Sequence, residues 1–300
     1  MTLAIAPDQP GVQRPSSPLR RHAPFLLIAP ALIFLFVFLV LPYFNIIVMS
    51  LRVPARVGMY AEGFTHANYA RALTDGFYMG VLGQTLLVGL LTTVACVLFG
   101  VPIAYHLGRS RSRWSGVLYT LILSPLLVGV VVRTFGWLII LSGNGVANKT
   151  LREFGLIEAP LRLMNNEFGV VLALTHVLLP LMILPLLGNV QAINPNLERA
   201  ARSLGAGRLT VFWRIGLPLC MPGIQAGGIL VFILAISAFV TPAMLGGPQV
   251  RTMSVLIVQQ LIDNFQWPFG AALALILATA TSVSVLLYIR FTAPLLRGLR

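Results

Sequence analysis

Long, unbroken apolar stretches dominate this 300-residue chain, and shorter polar segments separate them. A helix needs about 20 mostly apolar residues to cross the hydrocarbon core of a bilayer. The strands of a membrane barrel would instead alternate apolar and polar residues over about ten positions. The pattern therefore predicts an all-α membrane protein with six transmembrane helices, at residues 25–50, 77–107, 114–141, 168–190, 220–245 and 269–289.

Composition agrees with a membrane protein and argues against several soluble classes. Hydrophobic residues make up 57% of the chain and charged residues 10%, whereas roughly a quarter of the residues of a soluble domain are charged. Eight acids and four histidines are too few for the usual carboxylate pairs of a hydrolase or for a metal site. The net charge of +13 is scattered, unlike the basic patch of a nucleic-acid-binding protein. We expect lipid contact, and no cofactor, metal or nucleic acid.

The first apolar stretch follows a Pro- and Arg-rich tail and superficially looks like a secretory signal. It is too long for one, and no small-residue cleavage site follows it, so we expect an uncleaved anchor. The two cysteines, Cys96 and Cys220, fall within or beside apolar stretches. We expect both to be packing residues, because a free cysteine behaves as a small hydrophobic side chain.

The basic residues predict the orientation of the chain. Thirteen of the 21 lie in the N-terminal tail, the second-to-third link, the fourth-to-fifth link and the C-terminus, together with two acids. The opposite side carries seven basic residues and six acids, and Arg133 lies inside the third apolar stretch. Because short cytoplasmic segments carry an excess of Lys and Arg, both termini of this multi-pass membrane protein are expected in the cytoplasm.

The link at residues 194–218 has the pattern of two short helices rather than of a linker. Asn194 is a good N-terminal cap, Pro195 suits a first turn and Gly205 suits the left-handed position that ends a helix. Helical spacing puts four apolar residues on one face and two arginines away from it: Leu197, Ala200, Ala201 and Leu204, then Arg199 and Arg202. Small alanines at the centre of this face would let another protein approach closely. The same arginines would also suit an amphipathic helix resting on the inner leaflet.

The link resembles the signature loop of permease subunits in binding-protein-dependent ABC importers. That signature reads Glu-Ala-Ala, three residues, Gly, nine residues, Ile, one residue, Leu-Pro. The matching positions are Arg199, Ala200, Ala201, Gly205, Ile215, Leu217 and Pro218. Arg199 stands where the family has Glu, and Glu198 precedes it. A shift of one position turns a carboxylate about 100° around the helix.

Three other segments extend the resemblance to the spermidine/putrescine permease branch of that family. They are residues 126–137 followed by Asn144-Gly145, residues 237–248, and residues 266–271. Sibling systems carry opines, other amines and small organic acids, so the solute stays open. The resemblance implies the type I ABC importer permease fold. It divides the chain into a tail (1–23), a permease domain (24–293, core 77–290, ATPase-coupling loop 194–218) and a cytoplasmic end (294–300).

The resemblance also implies partners and a mechanism. Such a subunit pairs with a second permease, and two cytoplasmic ATPases dock onto the two signature loops. An extracytoplasmic solute-binding protein delivers the solute from the other side. Closure of the ATPase dimer on ATP would drive the loops together and switch the pathway from inward to outward facing. The chain itself would be a transporter subunit and not an enzyme.

Three membrane residues have both a pathway interpretation and a structural one. A cation at membrane depth costs about 2.5–3.5 kcal/mol, so Arg133 must face water or a partner. It lines the pathway, or it is a structural cation that bonds carbonyls or reaches outward. The resemblance favours the pathway, to which we also assign Trp137 and Pro242. Trp137 also suits an interface anchor, and Pro242, with Gly246 and Gly247, suits either an outer-mouth bend or an ordinary kink.

Two other classes compete with this hypothesis. An ion-coupled secondary transporter would normally carry a buried acid or inverted halves with discontinuous helices. A membrane-embedded enzyme would need clustered His, Asp or Glu, and the four histidines are dispersed. The segment 143–150 superficially resembles a phosphate-binding loop, but Asn148 stands at its second glycine position. The chain is therefore expected to depend on another protein for ATP.

Overall fold

The computed structural model describes residues 28–55, 58–110 and 112–297. Within them the apolar stretches are helical, because a helix satisfies its own backbone hydrogen bonds without water. In chain order the elements are α1 (Ile28–Ser50), β1 (Arg52–Val53), β2 (Ala61–Phe64), α2 (Ala67–Thr74), α3 (Gly76–Arg109), α4 (Trp114–Leu127), α5 (Val130–Leu141), α6 (Val146–Glu153), α7 (Glu167–Ala192), α8 (Pro195–Ser203), α9 (Arg208–Leu219), α10 (Met221–Ser237), α11 (Val240–Leu245), α12 (Met253–Asp263) and α13 (Trp267–Arg297). The two strands form an antiparallel pair.

The helical membrane architecture is confirmed. Five of the described stretches are long and apolar enough to cross a bilayer, namely α1, α3, α5 with α6, α7 and α13. The pair α9 and α10, bent by 64°, makes a sixth if it is counted as one span. With 14 residues, α4 is shorter than a full span.

The predicted helix at 114–141 is wrong as a single element, because it breaks at Val128 and Gly129 into α4 and α5. Pro125 has no N–H to donate to the carbonyl of Leu121. The hydroxyl of Ser124 donates to that carbonyl instead, at 2.8 Å. The proline therefore weakens the last turn of α4, and the helix ends two residues later.

The predicted helix at 220–245 is also interrupted. Its first part, α10, ends at Ser237, and α11 begins at Val240. Pro242 cannot donate to the carbonyl of Ala238, which accepts a 2.6 Å hydrogen bond from the Ser254 hydroxyl. The pattern of apolar residues does not predict either break, because the residues around both breaks are apolar.

The chain divides into two units, of which the first ends at Val48 and the second begins at Met49. In the first unit, α1 exposes large apolar side chains and contains a π-helical turn at Phe36–Val40. The N-terminal tail and the residues after Arg297 lie outside the described residues, and so do Arg56 and Arg111.

Within the second unit, α3, α7 and α10 pack on one another most extensively. Met182 of α7 is fully buried between them. A Cβ atom at Gly100 of α3 would lie 3.0 Å from Met182 Cγ, and one at Gly227 of α10 would lie 2.6 Å from its Sδ. Small residues at these contacts let the helix backbones approach closely. Cys96 and Cys220 are free and buried in the same core, which confirms the prediction that they are packing residues.

The segment that superficially resembles a phosphate loop forms α6 and its preceding turn. Asn148, which is fully buried, donates to the carbonyls of Ser142 and Leu161, both at 3.1 Å. Its side-chain oxygen accepts from the Leu161 N–H at 2.9 Å. Asn148 therefore connects the turn before α6 to the segment at Leu161.

We predict that Gly227→Ala destabilises the helix packing. The new Cβ would meet Met182 Sδ at 2.6 Å and the Met182 carbonyl oxygen at 3.1 Å, so backbone as well as side chain must move. Overpacking of this kind costs about 1–3 kcal/mol. The thermal unfolding midpoint of the purified protein in detergent should fall.

Gly188→Ala, on α7, is the matched control, because no atom lies within 4 Å of a Cβ built there. This variant should keep or slightly raise the midpoint. Equal midpoints for the two variants would contradict the close approach at Met182.

Candidate functional site: the loop at 194–218 and the membrane arginine

The first arm of the loop has the helix ends that its sequence predicts. The side-chain oxygen of Asn194 accepts from the N–H of Asn196 at 2.9 Å, and Pro195 occupies the first turn of α8. After α8 ends at Ser203, Gly205 adopts a φ of +86°. Nothing lies within 4 Å of a Cβ at Gly205, so the left-handed backbone, and not crowding, is what favours glycine there.

The second arm, α9, contains a π-helical turn at Phe212–Gly216 and leads into the bend before α10. Ile215, Leu217 and Pro218 are half-buried, and Leu217 packs against the core. These three signature positions therefore join the loop to the membrane helices and lie apart from its outward face.

The outward face of the loop combines apolar and basic side chains. Four large apolar residues stay exposed: Leu197 (49%), Leu204 (88%), Leu209 (76%) and Trp213 (62%). Four arginines are exposed with them: Arg199, Arg202, Arg208 and Arg214. Ala200 is exposed and Ala201 half-buried. The predicted apolar face of α8 is thus open rather than folded onto the membrane helices.

Glu198 points the other way. It is buried, and its Oε1 atom lies 2.7 Å from Nη2 and 2.8 Å from Nε of Arg109, the last residue of α3. Nη1 of Arg109 donates to the carbonyl of Ile193 at 3.0 Å. The sequence places Glu198 in the loop at 194–218 but does not reveal this contact. In the sequence, Arg109 is only one of the basic residues from which the orientation of the chain is predicted.

Arg133 lies just after the break between α4 and α5. Its guanidinium donates to the carbonyl of Pro125, in the last turn of α4, while its Nε is buried without a partner. The side chain thus satisfies a carbonyl at a helix end, where a cation is favourable. This is the carbonyl bond of the structural interpretation, and it occupies one of the five N–H donors of the side chain.

The other two predicted path residues lie on α5 and on the short helix that packs against it, α11. The ring of Trp137 meets that of His176 on α7 edge to face at 5.5 Å, and its Nε1 lies 3.4 Å from His176 Nδ1. Pro242 is buried, and the hydroxyl of its neighbour Thr241 lies 3.4 Å from that of Thr134. The sequence did not indicate Thr134, His176 or Thr241, because these contacts join distant segments.

Comparisons with known proteins agree with this fold. No protein-family model matches the chain. The spermidine/putrescine transport system permease protein PotB of Haemophilus influenzae is 32% identical over 270 residues, covering 89% of this chain and 93% of that protein. PotB of Escherichia coli is 35% identical over 227 residues, covering 76% of this chain and 82% of that protein. The molybdenum transport system permease protein ModB of Mycobacterium bovis is 33% identical over 196 residues, covering 65% of this chain and 72% of that protein.

Solved structures show the same fold at lower sequence identity. A crystal structure of a bacterial ABC transporter involved in the import of the acidic polysaccharide alginate matches with a TM-score of 0.74 and 18% identity, covering 92% of this chain and 97% of that chain. The alginate transporter in complex with a periplasmic protein bound to an alginate pentasaccharide matches with a TM-score of 0.70, covering 91% and 95%. The chain therefore belongs to the permease family of ABC importers that includes the spermidine/putrescine permease PotB.

Proposed function

We propose that this permease carries a polyamine-type solute across the inner membrane by alternating access, driven by ATP hydrolysis on a partner chain. The observation that carries the proposal is the likeness to PotB proteins over most of the chain, at 32–35% identity. Membership of this family removes the support for the alternative of an ion-coupled secondary transporter.

Partner ATPases would dock on the outward face of the loop at 194–218. Exposed large apolar side chains beside four arginines suit the surface of another protein. An extracytoplasmic binding protein would deliver the solute from the opposite side. The alginate transporter, which has the same fold, is described with a periplasmic protein.

A second permease would cover the side of the chain that exposes His176 beside Trp137. Arg133, on the same face of α5 one turn before Trp137, is half-exposed in the single chain. A half-exposed guanidinium is costly against lipid but not against a polar cleft between two subunits. Arg133, Trp137 and Pro242 would then line the path near its outer end.

Both termini would lie in the cytoplasm, with 1–23 as a tail, 24–293 as the permease domain around the core 77–290, and 294–300 as the C-terminal end. The excess of basic residues on that side supports this orientation. Binding of the ATPase to the loop at 194–218 would test this orientation, because the ATPase is cytoplasmic and the loop lies on the same side as the termini.

The amine-type solute is supported by one acidic group near the outer end of the helices. Glu167, in the first turn of α7, accepts a 2.8 Å hydrogen bond from Gln84 of α3. Aromatic rings and backbone carbonyls offer a cationic solute further favourable contacts.

The complete complex should take up labelled spermidine into proteoliposomes only when ATP is enclosed and the binding protein is outside. The purified single chain should hydrolyse no ATP, because its sequence contains no phosphate-binding loop. ATP hydrolysis by the single chain would overturn the assignment. Uptake of an opine or an organic acid but not of spermidine would overturn only the solute class.

Gly205→Asp should abolish ATPase association while the protein still inserts in the membrane. The residue needs a φ of +86°, which costs an L-amino acid about 1–2 kcal/mol, and α8 would lose its C-terminal turn. Co-purification of the ATPase from membranes measures the effect, and uptake should fall with it.

Gly207→Asp is the matched control, since it adds the same carboxylate at an ordinary φ of −67° with no atom within 4 Å of the Cβ. This variant should retain most of the association. Normal association and uptake in Gly205→Asp would mean that the loop is a surface-lying helix.

Arg133→Met should lower uptake strongly while expression and ATPase association persist, because the length of the side chain stays and the charge leaves the path. Arg133→Lys should recover only part of the uptake. An ammonium restores the charge, but it lacks the planar fork of donors with which the guanidinium bonds Pro125 and keeps other N–H groups available. Uptake normalised to the protein in the membrane is the measurement.

Arg152→Met, at an exposed position on α6, is the control for the loss of one arginine. It should transport normally. If Arg133→Met also transports normally, or fails only because the protein does not accumulate, Arg133 is purely structural.

A further inference from the structure

Arg109 and Glu198 form the only ion pair of the residues that the structure describes, and both side chains are largely buried (18% and 9% exposed). Nε of the guanidinium donates to Glu198 Oε1 at 2.8 Å, and Nη1 donates to the Ile193 carbonyl at 3.0 Å. Nη2 lies 2.7 Å from the same carboxylate oxygen, as an ion-pair contact without hydrogen-bond geometry. One side chain thus joins the end of α3, the residue that caps α7 and the first turns of α8. We call Arg109, the Ile193 carbonyl and Glu198 together the inner latch.

The second arm of the loop rests on the same face of α3. Tyr105, one turn before Arg109, meets the ring of Phe212 edge to face at 5.0 Å. A Cβ at Gly216 would lie 2.8 Å from the Tyr105 ring, so the glycine lets the π-helical turn approach it. Residues four apart on a helix lie on one face, and the last two turns of α3 therefore hold both arms.

The latch also changes what the loop presents outward. Glu198 is the only acid of the loop at 194–218, and Arg109 neutralises it inside. An ion pair on the protein surface would be exposed to solvent and would contribute little to stability. A buried pair is different, because the loss of either partner leaves an uncompensated charge inside the protein.

We infer that Arg109 is a positioning residue for energy coupling: the inner latch makes the loop move as one body with α3 and α7. The inference rests on the proposed function, in which an ATPase moves the loop. Docking then depends on the outward face, whereas transmission to the membrane helices depends on the latch. Loss of the latch should leave the ATPase bound and hydrolysing ATP, but uncoupled from transport.

The first test separates docking from transmission in the complete complex. Arg109→Gln and Glu198→Gln should each lower spermidine uptake about tenfold or more, while ATPase co-purification stays within about twofold. The double variant should be no worse than the poorer single variant, because the two residues act as a unit. Arg109→Lys should recover part of the uptake, since an ammonium reaches Glu198 without also serving Ile193.

The second test measures, on the purified chain, how firmly the inner latch fixes the distance between α3 and α8. Nitroxide labels at Phe99 on α3 and Ser203 at the end of α8, both exposed, would report their separation by pulsed electron paramagnetic resonance. The two native cysteines are replaced by alanine in this background. The distance distribution should be narrow in the parent and clearly broader in Glu198→Gln. Arg290→Gln, an exposed arginine near the inner end of α13, should change neither distance nor uptake.

The outcomes distinguish the latch from the function on which it rests. Normal uptake and a narrow distribution in the Gln variants would overturn the latch. Loss of ATPase binding together with uptake would show that the pair shapes the docking face, and would overturn a role in transmission. If the unaltered chain retains no ATPase, the proposed function fails and the coupling role with it, even where the distances show that the pair ties α8 to α3.

Discussion

The close approach of α7 to α3 and α10 is the contact on which the placement of the loop at 194–218 depends. Gly100 and Gly227 face Met182 from the two neighbouring helices. Gly108 faces Val190 near the ends of α3 and α7 that meet the loop, where a Cβ would lie 2.6 Å from the valine. Because the helices lie this close, the last turn of α3 meets the end of α7 and the start of α8. Arg109 then reaches Ile193 and Glu198 together.

Breaks in the helices impose a second requirement, because the hydrocarbon core offers no water to freed backbone groups. Side chains supply the missing donors at each break: Ser124 to Leu121, Arg133 to Pro125 and Ser254 to Ala238. A structural bond and a place on the pathway are compatible for Arg133, since a guanidinium has five N–H donors and Pro125 takes one. The bond to Pro125 therefore leaves the guanidinium with further N–H donors.

The loop at 194–218 divides its chemistry between two faces. Leucines, Trp213 and arginines are exposed, whereas the single carboxylate is turned inward and neutralised. Arg199, which stands where the resembled signature has Glu, leaves the outward face without acidic groups, and a partner surface with acidic side chains would complement it. The acid of this chain stands one position earlier, at Glu198, and there it faces Arg109 instead of the outward face.

The sequence by itself determined the features that depend on neighbours along the chain. Apolar stretches long enough for a bilayer predicted the helices, and Asn194, Pro195 and Gly205 predicted the ends of α8, because caps and left-handed turns are local backbone chemistry. Tertiary structure alone decided which distant side chains meet. Glu198 lies 89 residues from Arg109, and Trp137 lies 39 residues from His176. Periodicity assigns a residue to a helix face, but the partner of that face follows from the close packing of helices at glycines, which a single chain's pattern does not encode.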